Sequence, residues 1–148
     1  MAPVERSALV IIDMMNTFDF PGGTQLAEAA GSAAARIAAL KSRYQQAGAP
    51  VIYVNDNFTN WKAGFKEIIA ICSQPSALGA DIARQLRPDR DDYYVLKPKH
   101  SAFHATPLTL LLGQLEVTHL VLTGIAADAC VLTSAYDAKM HGYQLHIP

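Results

Sequence analysis

The chain has 148 residues, two cysteines and a net charge of −1. That length suits a single domain, 1–148, with a real core. The near-neutral charge provides no basic surface for nucleic acid or an anionic membrane, and two distant cysteines make no disulfide framework of the kind small secreted domains carry. The apolar run before Asp13 is too short for a signal peptide or a membrane span, so the expectation is a cytoplasmic protein with a small-molecule partner, no nucleic acid and no membrane.

Residues 8–12 form a continuous apolar run that reads as a buried first strand ending in Asp13. Phe20, Pro21, Gly22 and Gly23 make a loop. From Leu26, apolar or small residues recur with helical period as far as Ala47, and Gly48 closes that helix. Residues 51–54 read as a second strand ending at Asn55 and Asp56. Trp61, Phe65, Ile68, Ile69 and Cys72 mark a second helix, and Leu78, Ile82 and Leu86 a third that Pro88 ends. Residues 93–96 make a third strand running into Lys97 and Pro98. Thr106 followed by Pro107 starts a helix with Leu108, Leu111, Leu112 and Leu115 on one face. Residues 119–125 are a fourth strand, and Asp128 is expected to cap a helix that runs to about His141 and stops at Gly142. Residues 143–147 complete a fifth strand.

Strands alternating with helices predict an α/β domain, with a parallel sheet covered on both faces. Ligands in such sheets bind beyond the carboxyl ends of the strands. Three reactive side chains fall there: Asp13 after strand one, Lys97 after strand three and Cys130 just after strand four. A thiol at a helix N-terminus meets unpaired N–H groups and the positive end of the dipole, which favours thiolate. The same amides can hold an oxyanion. An aspartate beside that thiol can take its proton, and a lysine beside both can keep the charges in place. Each residue also has a plain structural reading: a buried small hydrophobe, a turn cap and a solvated loop charge. The absence of a glycine-rich loop after strand one, where the chain reads DMMNTF, argues against dinucleotide binding.

Three motifs, ALVIIDMMNTF at 8–18, LKPKHSAF at 96–103 and LTGIAADACVLTSA at 122–135, carry a resemblance to the isochorismatase-like cysteine hydrolases, a family that includes nicotinamidases, N-carbamoylsarcosine amidohydrolases and ureidoacrylate hydrolases. The resemblance implies a three-layer α-β-α fold with sheet order 3-2-1-4-5-6. It also implies a catalytic triad of Asp13, Lys97 and Cys130, a cis peptide between Ile125 and Ala126, and an oxyanion hole built from the amides of Ala126 and Cys130. The implied activity is cleavage of an amide or ureido C–N bond through a cysteine thioester, without a cofactor.

Departures from the family pattern bear on the pocket. Met15 and Thr17 replace a polar pair, while Asn16 and Phe18 remain. Where nicotinamidases carry Asp-x-His toward a metal, this chain has Asp56, Asn57 and Phe58, so no metal is expected. The family's chains normally continue for another helix and strand, so a sheet of order 3-2-1-4-5 without its sixth strand is expected here, with self-association as a homo-oligomer to cover the open edge. His100 and His104 are four apart, but they follow a strand and Pro98 and have no third ligand nearby, so they read as loop histidines rather than a metal pair. Asn16, Phe18, Asn57, Trp61, Ser101 and Phe103 are candidate substrate contacts, with core packing as the alternative for the aromatics. Two other readings stay open: a binding member of the family without catalysis, and a phosphoacceptor domain of the receiver type.

Overall fold

In the computed structural model, which describes residues 4–148, the first strand, β1 (Ser7–Ile12), is buried at every position. Its side chains alternate between two apolar layers. Leu9 and Ile11 join one core cluster with Ala30, Ala34 and Ile37, whereas Ala8, Val10 and Ile12 join a second with Leu108, Leu112 and Val131. β2 (Val51–Asp56) and β4 (His119–Gly124) flank β1 and divide their residues in the same way. This two-sided burial is why the strands read as unbroken apolar runs.

α1 (Gly23–Gln46), α2 (Phe65–Cys72) and α3 (Ala80–Gln85) cover the first face; α4 (Leu108–Gln114) and α5 (Cys130–Met140) cover the second. β3 (Tyr93–Lys97) and β5 (Gln144–His146) complete a five-stranded parallel sheet of order β3-β2-β1-β4-β5. This is the expected three-layer α/β architecture. It excludes the receiver arrangement, whose sheet runs 2-1-3-4-5. No helix among the described residues is long and apolar enough to cross a membrane.

Four local readings need correction. α1 begins at Gly23, three residues before the first clear apolar position. Trp61 is not part of α2: it lies in the preceding turn with left-handed backbone (φ 64) and 62% of its surface exposed. Leu78 likewise precedes α3 and is exposed. Asp128 does not cap α5, whose N-cap is Ala129 without a side-chain hydrogen bond. Leu132, Tyr136 and Met140, four residues apart on α5, form an exposed apolar stripe.

The carboxyl ends of β1 and β4 are drawn together at Gly124, which pairs with Ile12. Its φ of +114 suits glycine, and a Cβ there would lie 2.0 Å from the Ile12 carbonyl oxygen. Gly142, at φ +87, has nothing within 4 Å of that position. Gly142→Ala is therefore expected to cost only the left-handed conformation, roughly 1–2 kcal/mol. Gly124→Ala has to part the two central strands and should cost more than about 4 kcal/mol. Urea denaturation of the two variants against the parent chain measures the contrast, and equal losses would contradict this account of the β1–β4 junction.

Candidate active site

Parallel pairing brings four strand ends to one edge of the sheet. Asp56, the last residue of β2, is in register with Lys97, the last residue of β3. Asp13 follows β1 in left-handed backbone (φ 55), an uncommon conformation for a residue with a Cβ. Its backbone N–H donates to the Val54 carbonyl at 3.0 Å, and its carboxylate Oδ1 accepts from the Asp56 N–H at 2.8 Å. Cys130 is the first residue of α5.

Lys97 sits at the centre with no exposed surface. Its Nζ lies 3.1 Å from Asp13 Oδ2, 2.6 Å from Asp56 Oδ1 and 2.9 Å from the Lys99 carbonyl oxygen, so three N–H donors meet three acceptors. The Cys130 Sγ is 3.4 Å away. The sequence-predicted Asp13, Lys97 and Cys130 are thus brought together, with Asp56 as a fourth member.

The electrostatics reverse one expectation. The Cys130 thiol is not held as thiolate: burial, then the charge of Asp13 and a hydrogen bond to it, push its pKa up to about 12, against a lowering by Lys97. Burial, together with two carboxylates facing one ammonium, outweighs the helix terminus. Burial also raises Asp13 above its ordinary value, with Asp56 adding to the rise and Lys97 opposing it. Burial pulls Lys97 down, but Asp13 and Asp56 outweigh this and leave it raised, a firmly charged ammonium.

Asp13, Asp56 and Cys130 place ligand atoms within 4.8 Å of one another, close enough to share a metal ion. The Lys97 ammonium already lies among them, so a cation would have to displace a buried positive charge.

The candidate substrate contacts divide. The Asn16 Oδ1 accepts from the Phe18 N–H at 2.8 Å and closes a local turn. Phe18 is 1% exposed and belongs to the core. The Ser101 hydroxyl donates to Asp137 and accepts from the Phe103 N–H, and the Phe103 ring packs on His141 and Tyr143. The Asn57 Oδ1 accepts from Thr59 and from the Trp61 N–H, while its Nδ2 is buried without a partner among the described residues. The Ile125–Ala126 peptide is cis.

Sequence reasoning passed over three contributors. The second strand runs on from 51–54 through Asn55 to Asp56, which makes Asp56 its last residue. Asn55 grips the turn after β1 through the Met15 N–H and carbonyl, at 3.1 and 3.0 Å. Its position at a strand end was the only signal. His100, read as an ordinary loop histidine, places Nδ1 3.6 Å from the Cys130 Sγ. Residues 98–107 are not helical, so His100 and His104 do not share a helix face.

A test follows from the sign of these shifts. Asp13 holds the thiol pKa up, so Asp13→Asn should lower it and speed iodoacetamide labelling of Cys130 between pH 8 and 9. In the parent chain both Cys130 and Cys72, raised by burial to about 11, should label slowly. The raised Asp13 pKa contributes stability that is fully present below its ordinary value of 3.8 and lost as pH rises through the raised value. Slower labelling in Asp13→Asn would contradict the electrostatic account.

Comparison with known proteins places the site in context. Residues 7–148 match the isochorismatase domain. The isochorismatase-family protein YaaI of Bacillus subtilis is 41% identical over 95% of this chain and 77% of its own length. The ureidoacrylate amidohydrolase RutB of Yersinia enterocolitica is 28% identical over 95% of this chain and 72% of its own. Among solved structures, the N-carbamoylsarcosine amidase of Thermoplasma acidophilum superposes with a TM-score of 0.68 at 26% identity, over 94% of this chain and 79% of that one. The match along nearly the whole chain, on this sheet order, means that the protein belongs to the isochorismatase family of hydrolases.

Proposed function

We propose that the protein hydrolyses a C–N bond, amide or ureido, of a small molecule through a thioester on Cys130. The observation that carries this reading is the Lys97 ammonium held between two carboxylates and 3.4 Å from the Cys130 Sγ. The amidohydrolases among its relatives support the substrate class.

In the first half-reaction, Asp13 takes the thiol proton as sulfur attacks the carbonyl carbon. Its raised pKa makes it a stronger base than an ordinary carboxylate. The thiol stays protonated until a substrate is in place, so charge develops only as the bond forms. The N–H groups of Ala126 and Cys130 have no acceptor among the described residues, and they receive the oxyanion. Asp13 then returns the proton to the departing nitrogen, the C–N bond breaks, and ammonia or an amine leaves. Water hydrolyses the thioester in the second half. Lys97 does not shuttle a proton: it holds Asp13 in place and favours the ionised forms around it. Asn57 and Trp61, in the loop after Asp56, are proposed as the substrate-facing residues outside this core.

Screening small primary amides and ureides for ammonia release tests the reading. With any substrate found, Cys130→Ala should abolish turnover, while Asp13→Asn and Lys97→Met should each lower it by roughly 10²-fold or more. The losses should not add in the double variant, because the groups act as a unit. Near-normal rates in both single variants would remove the triad. Activity should fall as pH drops through the raised pKa of Asp13, which must be ionised to act as base. It should also survive exhaustive chelation, since Lys97 supplies the positive charge at the centre; loss on chelation with recovery by zinc or manganese would reverse that expectation.

A further inference from the structure

The last buried side chain of β2 is polar. Val51 and Tyr53 fill one core and Ile52 and Val54 the other, and Asn55, 3% exposed, follows where the apolar run could have continued. A carboxamide taken out of water at that position is costly unless its hydrogen bonds are replaced. They are replaced from two segments of the chain. The Asn55 Oδ1 accepts from the Met15 N–H at 3.1 Å, and Nδ2 donates to the Met15 carbonyl at 3.0 Å and to the Asp56 carbonyl at 3.1 Å. Both amide hydrogens and the oxygen are in use. Met15 lies two residues after Asp13, so one side chain grips the backbone beside each of the two carboxylates that face Lys97.

Asp13 needs such a grip. Its left-handed backbone (φ 55) is uncommon for a residue with a Cβ, and a conformation of that kind persists only while its surroundings impose it. Two of the restraints are backbone N–H groups: that of Asp13 donates to Val54, and that of Asp56 donates to the Asp13 carboxylate. Beyond Asp13 the chain leaves the sheet, and the pair of bonds from Asn55 to Met15 ties it back to β2. Releasing that pair lets residues 13–15 turn away, and the Asp13 carboxylate moves with them relative to Lys97 and Cys130.

We infer that Asn55 is a positioning residue for the site, holding the Asp13 carboxylate at the Cys130 thiol by fixing the turn that follows β1. This rests on the reading of Asp13 as the partner of the thiol, but its test is alkylation of sulfur, which needs no thioester. The charged and titratable groups that face the sulfur are Asp13 after β1, Asp56 of β2, Lys97 of β3 and His100 of the loop that follows. Asn55 bonds to backbone beside the two acids, so its loss withdraws negative charge from the thiol.

Iodoacetamide labelling of Cys130 is followed against pH by peptide mass, with the fully buried Cys72 as the gauge of general loosening. Asn55→Ala leaves room for water to meet the freed backbone groups. It should move the Cys130 profile to lower pH by roughly one unit, in the direction of Asp13→Asn, with Cys72 labelling within about twofold of the parent chain. In the Asp13→Asn background the same substitution should move the profile by less than half as much, because the charge it acts through is gone. Asn55→Ser, whose hydroxyl is too short to bridge both segments, should behave alike. A higher rate at every pH without a shift, faster labelling of both cysteines, a shift that persists in full without the Asp13 charge, or loss of the fold in both variants overturns the assignment, since each is what a merely structural contact would produce. If Asp13→Asn itself leaves the profile in place, the reading of Asp13 falls and this inference with it. If Asp13→Asn shifts the profile and Asn55→Ala does not, this inference alone fails.

Discussion

The Lys97 ammonium, buried without solvent contact, dictates what surrounds it. Removing a primary ammonium from water costs several kcal/mol, and that cost is offset only when every N–H finds an acceptor of good geometry. Two strand ends and one loop carbonyl supply those acceptors: Asp13 after β1, Asp56 on β2 and the carbonyl of Lys99. Because the requirement is structural, the arrangement of charge is in place before any substrate arrives, which is what electrostatic preorganisation means physically. Two carboxylates for one ammonium leave one negative charge in excess, and Cys130 lies beside it.

Burial of the thiol and that excess together set the resting state of the site. A helix N-terminus alone would favour thiolate, but burial of the thiol and then the neighbouring Asp13 carboxylate drive its pKa to about 12. The Cys130 sulfur therefore rests as a thiol beside the Asp13 carboxylate. Under the proposed mechanism such a thiol reacts with an electrophile held long enough for proton transfer and attack to proceed together, and a thiol resists the alkylation and oxidation that a standing thiolate invites.

Positioning depends on the sheet more than on any single contact. The order β3-β2-β1-β4-β5 reverses direction at β1, so the crossover helices lie on opposite faces and leave the carboxyl ends of β1 and β4 uncovered. Gly124 lets those two strands close on each other, and Asn55 ties the chain leaving β1 to the end of β2. The β3–α4 loop is bound to α5 through Ser101, Ala102 and Ser134. Lys97 and Cys130 are thus fixed to each other by the same connections that build the second face of the core.

The sequence by itself determined the alternation of strands and helices, because fully buried parallel strands are apolar at every residue and helices carry a different period. It also determined that Asp13, Lys97 and Cys130 lie at strand ends, since charged and reactive residues directly after apolar runs have nowhere else to fall. Only the tertiary structure decided what those residues do to one another. Asp56 joined the site because parallel register sets it beside Lys97, a pairing between distant segments that no local pattern encodes. His100 came within reach of sulfur because a loop is held by hydrogen bonds to a helix thirty residues later. Ser101, Phe18 and Phe103 turned inward or sideways because they satisfy partners that are remote or set by the turn. The thiol pKa departed from the helix-terminus expectation for the same reason: a local dipole can be read from residues in order, whereas burial and the sum of charges from three strand ends exist only once the chain has folded.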